Sequence, residues 1–206
     1  AGLRPRKRKL LFMDSYIKGL MGGAAAYAAG APAQEAFSLL CREPAPQAAA
    51  DAPVLPDAAA LENILAAAKT EEEAMRRVSL YYALLAVLPV YARLVWPEAA
   101  GVRMKALYPA RAEKEKLLAV LGQLEGLQRS CLALPEGSFR MVRAEGDILH
   151  FTRSGKGEIL DAVFNTGVSP CIAEIGGKAV EVNGRGYTLT VREAGHSPDH
   201  SYYDIG

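Results

Sequence analysis

The sequence lacks several features that would identify broad classes of protein. It has no run of about 18 apolar residues, so a transmembrane helix is not predicted. It also lacks a charge excess of either sign: 24 basic and 23 acidic residues give a net charge of +1, which argues against nucleic acid or a membrane as partner. The basic stretch at residues 4–9, RPRKRK, has no interleaved aromatic residue and is interpreted as part of a solvated tail.

Cysteine is scarce, and its spacing excludes two further classes. Cys41, Cys131 and Cys171 are odd in number and far apart, with no Cys-x-x-Cys pair. They therefore indicate reduced thiols and a cytoplasmic protein, not a disulfide framework or a zinc site. The basic stretch and the Gly/Ala-rich segment after it resemble a secretory signal, but Asp14 and Lys18 interrupt the segment that a signal needs to be apolar.

Motifs for common enzyme chemistries and for metal binding are also missing. No glycine-rich loop leads into a helix, and no serine lies in a nucleophile-elbow context. His150 lies in a predicted strand between Leu149 and Phe151, so alternation predicts that it faces solvent. His196 and His200 are four residues apart in the C-terminal tail, without a third ligand. We therefore predict no metal site and no cofactor.

The N-terminal two thirds of the chain carry helical periodicity. Asp57 and Thr70 stand where N-caps are expected, and Glu73 follows Thr70 at the capping-box position. Gly22-Gly23 are expected to end or loosen the first helix. Apolar residues at spacings of three and four predict helices over 10–29, 33–42, 57–69, 70–88 and 111–129.

Two segments between these helices have a different composition. Residues 43–56 contain four prolines and predict a linker or an extended surface loop. Residues 94–96, Leu-Val-Trp, form a short strand-like patch before Pro97.

After Pro135-Glu136-Gly137 the apolar period changes from helical spacing to alternation. The predicted strands cover 139–143, 148–153, 159–165, 171–175, 178–182 and 187–192, and glycine turns separate most of them. Short strands at such regular spacing are typical of an antiparallel sandwich or a small barrel. The fold class predicted is α+β, with a helical region over 1–132 followed by an antiparallel β-sandwich domain over 135–206.

The junction between these two parts resembles a known family. LALPEGSFR at 132–140, ILHFTR at 148–153 and ILDAVFN at 159–165 are similar to the first C-terminal-domain strands of the α-amylase family of glycoside hydrolases, in particular its neopullulanase-like branch. The helix over 111–129 is similar to the last barrel helix of that family. The resemblance implies the C-terminal portion of such a protein, with remnants of its last barrel units in a rearranged helical layer and not a complete barrel.

The departures from the family pattern concern its chemistry. By the resemblance, the nucleophile and the general acid would lie before residue 10, and the family's His-Asp pair is represented only by Pro56-Asp57. Retaining glycoside hydrolysis needs two carboxyl groups about 5 Å apart, which Asp57 alone does not provide. Asp57 is interpreted as a helix cap, and no catalytic residue is predicted. Tyr91, Trp96 and Tyr108 are candidates for a sugar-stacking platform, with a role in covering the edge of the core as the alternative.

Three functions remain open at this point. In the first interpretation, the chain is a catalytically inactive α-amylase-like protein that binds α-glucan or a partner. Alternatively, it is part of an active α-glucan hydrolase completed by a second protein chain. In the third interpretation it is a protein-interaction module without a carbohydrate role.

Overall fold

The computed structural model describes residues 5–38, 40, 54–90, 92–95, 97, 111–195 and 203–205. In this part of the chain, helices come first and strands follow, as an α+β fold. The elements are α1 (Pro5–Ala28), α2 (Ala33–Ala36), α3 (Ala58–Ala66), α4 (Glu71–Val87), α5 (Arg111–Ser130), α6 (Ala133–Glu136), β1 (Ser138–Glu145), β2 (Ile148–Gly155), β3 (Glu158–Asn165), β4 (Cys171–Ile175), β5 (Lys178–Val182), β6 (Gly186–Glu193) and β7 (Tyr203–Ile205).

Helix α4 is the centre of the helical layer, and α1, α3 and α5 pack around it. It begins where the sequence predicts, because the Thr70 hydroxyl accepts a hydrogen bond from the Glu73 N–H at 3.1 Å. Three consecutive glutamates complement the positive end of its dipole. Every residue from Leu80 to Val90 is buried, which confirms that this half of the helix is enclosed on all sides.

Helix α1 is longer than the sequence predicts, and the predicted effect of Gly22-Gly23 is wrong. The helix continues through both glycines. A Cβ atom at Gly23 would lie 2.2 Å from the carbonyl oxygen of Ala36, so the glycine permits close packing of α1 on α2. Helix α1 also begins at Pro5, a favoured first helical position, so residues 5–9 are helical instead of forming a tail.

One prediction in this part of the chain agrees with the described residues, and another needs correction. Within the second helix, predicted over 33–42, Ala33–Ala36, Ser38 and Leu40 are helical, and residues 39, 41 and 42 lie outside the described part of the chain. The strand predicted at 94–96 is not present at Leu94 and Val95; the described pairing lies two residues earlier, at Ala92, and is a parallel bridge to Val54. Most of the predicted linker, residues 43–53, lies outside the described part of the chain.

The Val54–Ala92 bridge defines a reduced β-α-β unit. The Arg93 N–H donates to the Val54 carbonyl at 2.9 Å, and helices α3 and α4 connect the two paired segments. Parallel strands joined through helices are the repeating unit of α/β barrels. Here the pairing is a single bridge, so the described residues form a helical layer with a trace of parallel sheet.

The strands form two antiparallel sheets, one of five strands in the order β1-β2-β3-β6-β7 and one made of β4 and β5. One face of the larger sheet packs on the helices, and its apolar side chains belong to the same core cluster as theirs. On the opposite face, Val163 packs against Ala173, Ile175 and Val182 of the β4–β5 hairpin. The second part of the chain is therefore a two-layer, sandwich-like structure, as predicted.

The helix-to-sandwich junction is built around Arg153 and Gly137. Arg153 is 3% exposed and donates hydrogen bonds to the carbonyl oxygens of Val87 (3.0 Å), Leu134 (2.7 Å) and Gly137 (3.1 Å). A Cβ atom at Gly137 would lie 1.9 Å from the Ala133 carbonyl oxygen, so the tight turn after α6 requires glycine. The residues that carry the family resemblance therefore have a structural role here.

Within the described part of the chain, we find no helix that is both long enough and apolar enough to span a bilayer.

Candidate functional site

The topology brings two short segments together at one edge of the helical layer, here called the carboxyl-end edge (residues 55–57, 93–95 and 97). Val54 and Ala92 run parallel, so the residues that follow each of them leave the pair at the same end. In α/β folds, ligands bind outside the carboxyl ends of parallel strands. The carboxyl-end edge is therefore where the backbone topology places a candidate site.

Asp57 lies on this edge and caps α3, as predicted. Its Oδ1 accepts a hydrogen bond from the Ala60 N–H at 2.9 Å, and its side chain is exposed. Tyr81 of α4 is buried close to Asp57. Burial raises the pKa of Tyr81 to about 12; the Asp57 backbone opposes this increase, and the Asp57 carboxylate adds to it. The Asp57 carboxylate beside the neutral Tyr81 phenol can accept hydrogen bonds from a ligand. The two side chains do not form the pair of carboxyl groups that glycoside hydrolysis requires.

The second segment of the edge is attached to α4 and α5 through its backbone. The Tyr82 hydroxyl donates to the Val95 carbonyl at 2.5 Å. The Gln128 amide donates to the carbonyls of Ala92 (3.1 Å) and Ala86 (3.3 Å). Ala92 and Pro97 are buried, so the described residues that flank this segment belong to the packed layer.

The predicted aromatic platform falls outside the described residues: Tyr91, Trp96 and Tyr108 all do. So do His196 and His200, the candidate pair in the tail. Among the described residues, no group of three or more His, Cys, Asp or Glu side chains is arranged to hold a metal ion.

The prediction that His150 faces solvent is wrong, because it is 6% exposed. It does lie on the sheet face opposite Leu149 and Phe151, but the neighbouring Val163 shows that the β4–β5 hairpin packs on this face. The His150 Nε2 is 3.6 Å from the Asp161 carboxylate, which also accepts a hydrogen bond from Arg192 Nε at 2.9 Å. Sequence alternation identified the face of His150 but not the layer that covers it.

The two buried carboxylates of the described residues, Glu73 and Asp161, lie in different layers. Glu73 of α4 accepts hydrogen bonds from the Lys69 N–H and the Arg77 guanidinium, and it lies 3.2 Å from Arg185 Nη2. The Lys69 N–H and the two arginines hold the pKa of Glu73 below its usual value, against the opposing effect of burial. A general acid for glycoside cleavage needs a raised pKa instead, so Glu73 does not suit that role.

Comparisons with known proteins give matches in structure only. No protein-family profile matches the sequence, and no similar protein was found among curated sequences. The type III pullulan hydrolase from Thermococcus kodakarensis matches with a TM-score of 0.57 and 19% identity, over 85% of this chain and 35% of that one. The debranching enzyme from Nostoc punctiforme matches with a TM-score of 0.51 and 16% identity, over 83% of this chain and 44% of that one. AmyP, solved in complex with maltose, matches with a TM-score of 0.58 and 12% identity, over 82% of this chain and 48% of that one.

These matches extend over most of this chain, which spans between about a third and a half of the length of the three proteins. At identities below a fifth, the likeness is one of fold. The order of helices followed by an antiparallel sandwich is the order that the resemblance at residues 111–165 implied. The chain therefore has the fold of part of an α-amylase-family enzyme, compatible with the C-terminal portion.

Proposed function

We propose that this chain is a non-catalytic α-glucan-binding protein, or part of one, with the α-amylase fold. The observation that carries the proposal is the fold shared with a pullulan hydrolase, a debranching enzyme and a maltose complex. In this proposal the glucan binds at the carboxyl-end edge. Asp57 is proposed to accept hydrogen bonds from sugar hydroxyls at this edge, and Tyr91, Trp96 and Tyr108 are proposed to stack on the sugar rings.

The physical case for binding at this edge is preorganisation. Trp96 follows Val95, whose carbonyl is held by the Tyr82 hydroxyl, and Tyr91 precedes Ala92, whose carbonyl is held by Gln128. Aromatic rings present a large apolar face at low conformational cost, which suits the apolar face of a sugar ring. A site flanked by restrained backbone, as at Ala92 and Val95, loses less entropy on binding than one flanked by a free loop.

The case against catalysis by the described residues is chemical. A retaining mechanism requires a nucleophilic carboxylate and a protonated carboxylic acid on opposite sides of one bond. Glu73 is engaged by two arginines, and Asp161 is engaged by Arg192 and lies beside His150. Asp57 stands alone as a cap.

Binding is tested with maltoheptaose, and Trp96 is a suitable reporter because the chain has a single tryptophan. We expect saturable quenching of Trp96 fluorescence, matched by calorimetry, and no response to a β-linked oligosaccharide of the same length. Trp96→Ala is expected to abolish the calorimetric signal, whereas Tyr16→Phe, on α1, is expected to retain it. Equal responses to the α-linked and β-linked sugars, or no response in the millimolar range, contradict the proposal.

Catalysis is tested by measuring reducing ends released from maltoheptaose and pullulan. We expect none from the chain alone. Hydrolysis that is present in the isolated chain and absent in Asp57→Ala overturns the non-catalytic assignment.

A second candidate function is favoured by the fact that this chain covers less than half of the length of the proteins it matches. The chain spans 35% of the pullulan hydrolase and 48% of AmyP. In this alternative it supplies part of an active α-glucan hydrolase, and a second chain carries the catalytic carboxyl pair. Hydrolysis of pullulan that appears only when a co-purifying protein is added back supports this alternative.

The proposal includes a two-domain organisation and a reducing, cytoplasmic setting. The division between residues 1–132 and 135–206 falls beside α6, where limited proteolysis tests it. Cys131 and Cys171 are free thiols, and Cys131 is buried beside the same junction. Free thiols are typical of a reducing compartment.

A further inference from the structure

An open cleft of about 700 Å³ lies between α4, α5 and the two loops that lead into β4 and β6. Its volume is within the range of about 300–1,000 Å³ that is usual for small-molecule sites. Among the described residues, none that lines it belongs to the carboxyl-end edge. The cleft is therefore a second candidate site, distinct from the described residues of the carboxyl-end edge.

The charged side chains that line the cleft are mostly cationic. Arg76, Lys116 and Arg185 face a single carboxylate, Glu72, although the chain as a whole is nearly neutral. Arg76 and Glu72 form an exposed ion pair at 2.7 Å, so they offset each other at the rim. Lys116 of α5 and Arg185 of the loop before β6 line different walls of the cleft.

Arg185 has an unusual backbone conformation. Its φ is 53°, in the left-handed region, although glycine stands on both sides of it. A non-glycine residue in this region costs about 1 kcal/mol. The Arg185 N–H donates to the Gly167 carbonyl at 2.7 Å, which holds the loop in place. Such backbone outliers are concentrated at functional sites, where a particular side chain is needed at a strained position.

The positive charge of the Arg185 side chain is only partly neutralised by neighbouring carboxylates. Its Nη2 lies 3.2 Å from Glu73 Oε1, but the same oxygen already accepts two hydrogen bonds from Arg77. One carboxylate therefore serves two guanidinium groups. The Arg185 Nε is inaccessible to water and has no hydrogen-bond partner among the described residues. The side chain as a whole is 31% exposed, so an oxyanion in the cleft can reach the exposed part of the guanidinium and supply further negative charge.

The rest of the cleft wall is largely apolar. Leu117 and Val120 of α5 lie on one side, and Val168, Pro170 and Tyr187 lie on the other. Val168 is 76% exposed, so its side chain is available for contact with a ligand. We propose that this cleft binds the phosphate or carboxylate group of a small organic anion, with Arg185 on the oxyanion and the apolar wall against the organic part.

The test uses phenyl phosphate, benzoate and inorganic phosphate as probes. Calorimetry at constant ionic strength measures the binding of each. We expect saturable one-to-one binding of phenyl phosphate or benzoate, with inorganic phosphate weaker because it lacks an apolar part. Tighter binding of phenyl phosphate identifies a phosphate ester as the ligand class, and tighter binding of benzoate identifies a carboxylate. Absence of saturable binding for all three probes in the millimolar range overturns the proposal.

Arg185→Gly removes the guanidinium and suits the left-handed backbone, so the variant does not strain the loop. Lys156→Gly is its matched control, because Lys156 is the other non-glycine residue with positive φ among the described residues and is an exposed cation in the β2–β3 turn. We expect affinity to fall about tenfold in Arg185→Gly and to stay within twofold in Lys156→Gly. Equal affinity in the two variants refutes the proposal. If Arg185→Gly does not fold, Lys116→Gln decides instead: about threefold weaker binding supports the site, and unchanged binding refutes it.

Discussion

The Glu73 carboxylate provides the sharpest test of how the layers are held together. Its Oε1 accepts hydrogen bonds from Arg77 at 3.0 and 3.1 Å and lies 3.2 Å from Arg185. Its Oε2 accepts from the Lys69 N–H at 3.1 Å, and Arg77 also donates to the Ala28 carbonyl at 3.0 Å. One side chain therefore connects α1, α4 and the loop before β6. Glu73→Gln keeps the shape of the side chain and removes its charge.

The expected cost follows from the number of contacts and from their exposure. Hydrogen bonds to charged groups contribute about 1.5–3 kcal/mol each. The amide of Gln retains one acceptor oxygen, and the two arginines cover the carboxylate while remaining partly exposed themselves, so water can replace part of what is lost. We therefore expect Glu73→Gln to lower the free energy of unfolding by about 2 kcal/mol, which for a chain of this length lowers Tm by about 4–8 °C.

The pH dependence of this loss has a definite sign. The pKa of Glu73 in the folded chain is below its ordinary value, so the carboxylate stabilises the folded state above that ordinary value, and the contribution is lost as pH falls through the folded pKa. The difference between wild type and Glu73→Gln is therefore expected to be largest at neutral pH and to shrink in acid. Urea unfolding across this pH range measures it.

The control is Glu72→Gln, one residue earlier. Glu72 pairs with Arg76 at 2.7 Å, but both side chains are more than half exposed, so a loss of at most about 0.5 kcal/mol is expected. If Glu73→Gln costs no more than Glu72→Gln at neutral pH, the assignment of Glu73 as the connection between layers is refuted. A difference that persists undiminished at strongly acid pH also contradicts it.

Three further predictions concern packing. Gly23→Ala is expected to lower the free energy of unfolding by about 2 kcal/mol or more, because its methyl group clashes with α2. Gly22→Ala, with no atom within 4 Å, is expected to raise the free energy of unfolding by about 0.5–1 kcal/mol. Thermal melts of the two variants test this. Arg153→Leu is expected to cost about 3 kcal/mol in urea unfolding because three buried carbonyls lose their donor, and Arg140→Leu on exposed β1 is the neutral control. Burial raises the pKa of Cys131 to about 11, so at pH 8 about one thiol in a thousand is ionised and the folded chain should resist alkylation there, as peptide mapping would show.

Much of the local structure could be predicted because its causes are local. Thr70 and Glu73 are three residues apart, and their hydrogen bond forms wherever that helix begins. Asp57 caps α3 for the same reason. The strands from Ser138 onward follow from alternation and from glycine turns, each of which involves only neighbouring residues.

The predictions that were wrong depend on partners distant in the sequence. Gly23 was expected to weaken a helix, but its contact is with Ala36, on another element. His150 was expected to face water, but the β4–β5 hairpin packs on its side of the sheet. Propensity and alternation describe a residue's own element, and they do not reveal what packs on that element.

The sequence by itself determined the order of the elements and the fold class, because periodicity, caps and turns act over a few residues. It also located the family resemblance at residues 111–165. Only the tertiary structure decided what those residues do: Arg153 ties the layers together and Gly137 permits the turn. It likewise brought Arg185 and Lys116 to one cleft and placed the residues after Val54 and Ala92 at one edge. Sites of this kind join residues that are far apart along the chain, and only packing makes them neighbours.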